Sequence, residues 1–369
     1  MDRRSFLTSA VSAATLPKLL PPVAASLATA LAPARAAAQA ADVPHALGTL
    51  WRAWRDAYLD FSGRVIDGPQ FNASHSEGQG YGMVLAAFFG DRAAFERMAD
   101  WTQTHLAIRP DNLLAWRWRP DLPERVPDLN NASDGDLFYA WALLLGSRRF
   151  GREDWRRRAA AIVDDLETRC TAERPDRPGT LVLLPAARYF AFADRILVNP
   201  SYIMPRAMSD LAEAFGASRM AQVSRSGLEL VTELAGRGLV PDWVQITANG
   251  VGPAPGFSEH FGYESVRVPL FLLWSGESQH QAVARAGSAI GRAPDGQAAI
   301  VIETQTGRAI EYSPDPGYRA IGALSRCVTD GQIGAAIPPF AVTQPYYPAT
   351  LHLFTLLAQS ENFPSCRPI

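Results

Sequence analysis

Three short segments of this chain set carboxyl groups beside glycine, tyrosine or arginine, and the chemistry such groups offer is proton transfer. The first, Ser76-Glu77-Gly78-Gln79-Gly80-Tyr81-Gly82-Met83, places three glycines directly after a glutamate, and the apolar run Met83 to Phe89 that follows reads as a helix. Glycine costs about 1 kcal/mol against alanine inside a helix, so three in the opening turns need a reason. Removing side chains clears space for another body against the backbone, and beside a carboxyl and a phenol that body is read as a bulky substrate. A glycine-rich tight turn capped by Glu77 accounts for the same residues. The second segment is Ser133-Asp134-Gly135-Asp136. Here Ser133 and Asp136 have the spacing of a capping box, with Asp134 in the first helical turn. The third pairs Glu264 with Arg267 at i,i+3, which serves an ordinary helix ion pair as well as a carboxylate held for chemistry.

The chain around these segments reads as mostly helical. Leu47, Leu50, Trp51, Trp54 and Tyr58 follow one helix face. Asp91 is the expected N-cap of a helix carrying Phe95, Met98 and Trp101. Ser133 is the expected cap of a helix through Leu143 and Leu145, and Asp154 opens another with Trp155, Ile162 and Leu166. Further helices are expected over about 204–216, 219–236, 262–274, 277–291, 316–327 and 347–358. Thr180 to Leu184, Phe190 to Val198 and Ile300 to Thr304 read as strands, while proline and glycine exclude a helix from residues 241–257. With no repeat and no linker, the periodicity predicts one α-rich domain of helical hairpins.

The N-terminus reads as an export leader over residues 1–40. Arg3-Arg4-Ser5-Phe6-Leu7 is a twin-arginine pattern, followed by a weakly apolar stretch and by small-residue cleavage sites around Ala36 to Ala40. Pro17, Lys18, Pro21 and Pro22 argue against a membrane-spanning helix there. Removal of the leader leaves 41–369 as the catalytic domain, in the periplasm or outside the cell. The chain carries a net charge of −2, and the leader's basic residues outnumber its acids, so the remainder is more acidic still. No basic block marks a nucleic-acid surface. Cys170, Cys327 and Cys366 are too few and scattered for a disulfide framework or metal site. One disulfide with one leftover thiol fits an oxidising compartment, and the sequence leaves the pair open. The histidines show no ligand-type spacing, so neither metal nor cofactor is expected.

The first segment resembles the proton-donor motif of glycoside hydrolase family 8, the inverting β-1,4-glucanases. Ala132-Ser133-Asp134-Gly135-Asp136-Leu137 resembles that family's Ala-Ser/Thr-Asp-Gly/Ala-Asp signature. Gly262-Tyr263-Glu264-Ser265-Val266-Arg267 resembles its Tyr-Asp-Ala-x-Arg segment, with Glu264 where Asp is commoner. Asn199-Pro200-Ser201-Tyr202 and Pro241-Asp242-Trp243 resemble the branch encoded with bacterial cellulose synthases. The resemblance runs from about Leu47 to Tyr346-Tyr347. It implies an all-α fold, an (α/α)6 barrel with a small β-strand insertion.

It also implies roles. An inverting glycosidase needs a protonated carboxyl for the leaving oxygen and a carboxylate to activate water, about 6.5–9.5 Å apart. On the resemblance Glu77 is the acid, Glu264 the base, and Asp134 the group that holds the strained sugar and the attacking water. Asp136 is read as a helix cap, and Asp128 and Glu259 are the alternative bases. A carboxyl at a helix start is held low by the dipole, so Glu77 needs desolvation or a neighbouring carboxylate, with Asp134 the expected one. Sugar rings present flat C–H faces, so aromatic platforms are expected. Tyr81, Trp116, Trp118, Tyr202, Trp243 and Tyr263 are the candidates, with Arg267 as a polar contact. Trp116 and Trp118 share one side if their segment is extended, whereas Trp51, Trp54, Trp101 and Trp155 have core spacing. The expected partner is a β-1,4-glucan, with a cellulose synthase complex as a further partner. The alternatives are a chitosanase or xylanase of the same family, or a catalytically weak glucan-binding subunit.

Overall fold

The computed structural model describes residues 45–367, with side chains from Leu47 onward. The expected leader and its twin arginines lie outside the described residues. The described chain runs through α1 (His45–Tyr58), α2 (Ser76–Phe89), α3 (Arg92–His105), α4 (Ser133–Phe150), α5 (Glu153–Arg169), α6 (Pro205–Phe215), α7 (Ser218–Arg237), α8 (Arg267–Trp274), α9 (Gln281–Ile290), α10 (Pro316–Thr329) and α11 (Tyr346–Asn362). Helices α2, α4, α8 and α11 are buried on nearly every side, as expected for helices apolar all round. Around them, α3 packs on α2, α5 on α4, α7 on α6, α9 on α8 and α10 on α11. Alternating inner and outer helices make the expected (α/α)6 barrel. No described helix is long and apolar enough to cross a membrane.

Small antiparallel sheets occupy the connections. They are β1 (Ser74–His75) with β2 (Arg117–Trp118), β3 (Thr171–Arg174) with β4 (Arg177–Leu183), β5 (Arg195–Val198) with β6 (Val244–Thr247) and β7 (Gly250–Pro253), and β8 (Ala298–Ile302) with β9 (Ala309–Ser313). The β content is thus spread over several loops rather than confined to one insertion. The proline- and glycine-rich segment after residue 241 holds β6 and β7, whose register pairs Val244 with Pro253 and Thr247 with Gly250. Expected helix ends shift in one functionally important place. Residues 263–266 form turns, and α8 starts only at Arg267.

The core interlocks aromatic rings from the inner helices. Tyr81 meets Phe138 at 4.6 Å and Phe354 at 5.1 Å, while Trp274 meets Phe354 at 4.9 Å and Trp141 at 5.5 Å. Trp51, Trp54, Trp101 and Trp155 are buried, as their spacing predicts. Asp91 caps α3 by accepting from the Ala94 amide at 3.1 Å. Cys327 and Cys366 form a disulfide across 39 positions, and Cys170 is free and buried. Closing a loop of that length restricts the unfolded chain by about 2–4 kcal/mol. Reduction is therefore expected to lower unfolding stability by roughly that amount in a denaturant titration. Identical midpoints with and without reductant would show that the bond adds nothing.

Candidate active site

The glycines after Glu77 serve packing between helices. A Cβ on Gly80 would stand 2.9 Å from the Tyr139 amide nitrogen, and one on Gly82 would stand 2.8 Å from Met98 Sδ. The body they make room for is protein, α11 at Gly78, α4 at Gly80 and α3 with α1 at Gly82, and the expectation of a substrate against this backbone is corrected. Gly135 does the same from the other side, since a Cβ there would meet Ser76 Oγ and come within 2.7 Å of the Glu77 nitrogen. The close approach brings the N-termini of α2 and α4 together. Glu77 and Asp134 each occupy the first turn of their helix.

Between them sits the Arg267 guanidinium, 1 % exposed. Its Nη1 donates to the Glu77 carboxylate and lies 3.0 Å from both Asp134 Oδ2 and Tyr81 Oη. Its Nη2 donates to Ser201 Oγ at 2.8 Å and to the Glu264 carboxylate. The ordinary i,i+3 ion pair is therefore present, yet the same cation also binds both other candidate carboxyls. With normal bond lengths at both ends of a planar guanidinium, the bonded oxygens of Glu77 and Glu264 stand within roughly 8 Å. Side-chain exposure rises from 4 % at Asp134 through 23 % at Glu77 to 38 % at Glu264. Glu264 is the carboxyl most open to water.

Three carboxyls around one buried cation cannot all ionise cheaply. Burial pushes Glu77 up to about 8, against the opposing pull of Arg267. Repulsion from Asp134 and Glu264, with a hydrogen bond to Asp134, adds to the rise. Desolvation thus outweighs the pull of Arg267, and Glu77 holds its proton more tightly than an ordinary glutamate. Asp134 is also raised by burial.

The turn bearing Glu264 is built by Asp242. Its Oδ1 accepts from the Gly262 amide at 2.9 Å and the Ser265 amide at 2.8 Å, and a Cβ on Gly262 would stand 2.4 Å from Asp242 Oδ2. Asn199 Nδ2 reaches Glu264 Oε2 at 3.3 Å. Asn199, Ser201 and Asp242 are not among the residues the sequence nominates for the site, although the segments holding them carry the family resemblance. Tyr347 is a further addition, and its hydroxyl donates to the Tyr263 carbonyl at 2.8 Å.

The expected aromatic platforms separate into two groups. Tyr202 lies 5.5 Å from the Arg267 guanidinium carbon and 6.4 Å from Trp243, which stacks on Phe190 at 5.7 Å and meets Phe257 at 4.6 Å. Tyr263 is 45 % exposed and bonded to Glu311. Trp116 is half-buried, with its indole donating to Asp128 at 2.9 Å and stacked on His75. Tyr81 is corrected as a sugar platform, while Trp118 stays a half-buried candidate like Trp116. Tyr81 is wholly buried and reaches the site only through its hydroxyl. Trp118 has Trp101 and His105 against it edgewise and Arg64 and Arg125 over its ring. Arg267, like Tyr81, is enclosed and bonded to protein groups, so it supports the carboxyls from beneath rather than meeting sugar as expected.

The capping box is corrected too. Ser133 Oγ donates to the Leu184 carbonyl at 2.6 Å, and Asp136 accepts from the Leu114 amide at 2.7 Å and from Asn131 Nδ2 at 2.9 Å. Long-range partners win over the local cap because both side chains are buried. Neither alternative base shares Arg267. Asp128 is engaged by Trp116, and Glu259 borders a cavity of about 390 Å³ beyond Trp243 that none of the three carboxyls lines. Among the described residues no cluster of His, Cys, Asp and Glu forms a candidate metal site.

Known proteins share this fold. A curated relative from Novacetimonas hansenii, described as a probable endoglucanase, is 33% identical over 333 residues, covering 87% of this chain and 93% of its own. The structure of the endo-β-1,4-glucanase CMCax from Acetobacter xylinum superposes with a TM-score of 0.76 at 32% identity, covering 86% of this chain and 98% of that one. A reducing-end-xylose releasing exo-oligoxylanase shares the fold at 17% identity and a TM-score of 0.65, covering 87% of this chain and 94% of that one. The family model for glycosyl hydrolases family 8 matches residues 21–361, and with the Arg267-centred carboxyl cluster in place the chain belongs to that family.

Proposed function

We propose that the protein is an endo-β-1,4-glucanase acting with inversion, in which Glu77 is the acid and Glu264 the base. The observation that carries the reading is one buried guanidinium joining the carboxyl of Glu77, whose hold on a proton burial strengthens, to the more open carboxyl of Glu264. Glu77 gives its proton to the leaving oxygen. Glu264, the most exposed of the three, takes a proton from water attacking the opposite face, and no covalent intermediate forms. Asp134 is nearly enclosed, so it acts through charge and through its bond to Arg267, orienting the pair about the strained ring. Trp116 flanks Glu77 by way of β1, while Tyr202, Trp243 and Tyr263 flank Glu264. Of these, Tyr263 offers the most open ring.

The substrate class follows from the relatives. The relative CMCax is an endo-β-1,4-glucanase, which supports cellulosic chain as substrate. Export by the twin-arginine leader would place the enzyme in the periplasm, where it trims nascent cellulose beside a synthase. Reducing-end release from carboxymethylcellulose, chitosan and xylan, measured beside binding to each, is expected to favour carboxymethylcellulose clearly. Preferred cleavage of chitosan or xylan would overturn the substrate, and binding without cleavage would leave a glucan-binding subunit.

A further inference from the structure

Below the cleft lies a buried polar junction that the acid–base chemistry does not use. Asp136, fully buried, accepts from the Leu114 amide with Oδ1 and from Asn131 Nδ2 with Oδ2. Asn131 turns its own oxygen to the Ala187 amide at 2.7 Å. Next to it, Asn130 Nδ2 donates to the Arg188 carbonyl at 3.2 Å, and its carbonyl accepts from the Trp116 amide at 3.0 Å. The Trp116 carbonyl in turn accepts from the Ser76 amide at 3.0 Å, one residue before Glu77.

These bonds join two segments far apart in sequence. One, residues 114–118, carries Trp116 beside Glu77. The other, residues 187–190, ends in Phe190, which backs Trp243. The second is a loop and the first is irregular up to the two-residue strand β2, and such segments ordinarily set their own positions loosely. Here each is pinned by amide groups to side chains rooted in, or just before, the start of α4, whose first turn also carries Asp134. A 1 Å misplacement of substrate-contacting groups is costly in enzymes, so a common anchor for both walls and Asp134 has a functional consequence.

We propose that Asp136, Asn131 and Asn130 are positioning residues that fix the spacing between the Trp116 wall and the Phe190–Trp243 wall, and so determine binding of longer glucan chains. The inference rests on the glucanase reading above. The three residues touch neither the Arg267 guanidinium nor the reacting atoms.

The junction has a donor–acceptor polarity that permits a swap. Asp136→Asn turns amide hydrogens toward donors, and Asn131→Asp sets two buried carboxylates face to face. Together the changes restore complementarity, since the new Asn accepts from Leu114 and donates to the new Asp, which accepts from Ala187. Asn130→Ala removes only the tie to Arg188 and is the mild variant should a single swap fail to fold. Cleavage of cellohexaose and cellotriose is compared for wild type, Asn130→Ala, each single swap and the double swap. Asn130→Ala and any folded single swap are expected to raise KM for cellohexaose at least about fivefold, the effect of one lost buried hydrogen bond. Cellotriose kcat/KM should stay within about twofold, and the double swap should return the cellohexaose KM to near wild type.

Unchanged cellohexaose KM in Asn130→Ala, equal losses on both substrates, or a double swap no better than the singles would overturn the proposal. A merely structural junction would alter the melting temperature and the folded fraction without this dependence on chain length. Wild-type protein inactive on both oligosaccharides would instead sink the glucanase reading, and this inference with it.

Discussion

Glu77→Gln is expected to cut turnover on cellulosic substrate by about 10²–10⁴-fold or more while leaving the fold and glucan binding intact. Glutamine keeps the shape and can still accept from Arg267, so only the transferable proton is lost. Wild-type activity should also fall as pH rises through about 8, the value to which burial raises the Glu77 carboxyl. That alkaline limb should be absent from the residual activity of the variant. Stability gives an independent check with a definite sign. A carboxyl raised on folding binds more protons in the native state than in the unfolded one, so wild-type stability declines between the ordinary glutamate range and about 8. Glutamine removes that decline, and the variant should be at least as stable as wild type at the alkaline end. Turnover within about tenfold of wild type would take Glu77 out of the acid role.

The feature that ties Glu77 to its neighbours is only partly legible in the chain. Its carboxyl stands out because glycines at alternate positions are costly in a helix, yet a substrate is not what occupies the space they leave. Space cleared by a missing side chain looks the same in sequence whether a sugar or another helix fills it, and here several helices do. Asp136 misleads in the same way. Ser133 and Asp136 have cap spacing, but the Leu184 carbonyl and the Leu114 amide, from elsewhere in the chain, outcompete the local bond.

Helices are readable in the sequence because apolar periodicity is local. Arg267 as a junction for Glu77, Asp134, Ser201 and Glu264 is not local, since most of its partners lie more than sixty residues away. Its i,i+3 neighbour alone is visible in sequence, which is why an ion pair and a catalytic carboxylate look like rival readings. They are compatible. Aromatic platforms are the hardest to read, because the rings that meet Trp118, Trp101 and His105, come from another helix and leave no mark on its own segment.

Glu264 is where this chain departs from the commoner aspartate, and its substitution separates the readings that geometry joins. Glu264→Ala should nearly abolish hydrolysis while leaving binding, because no other carboxyl at Arg267 is as open to water. Glu264→Asp should keep measurable activity at an altered rate, since one fewer C–C bond withdraws the carboxylate by up to roughly 1.5 Å. Removing Glu264 takes a counter-charge from a guanidinium only 1 % exposed, so the melting temperature of Glu264→Ala is measured beside its turnover, and the base role requires the loss to persist in the folded fraction. Stereochemistry tests the same role by another route. Water activated by Glu264 attacks the face opposite the leaving group, so the new reducing end from a β-linkage should appear first as the α-anomer. Polarimetry or NMR during the first turnovers reads this directly. An initial β-anomer would exclude inversion altogether. Near-normal turnover in Glu264→Ala would send the search for the base to Asp128 and Glu259, neither of which the Arg267 guanidinium holds.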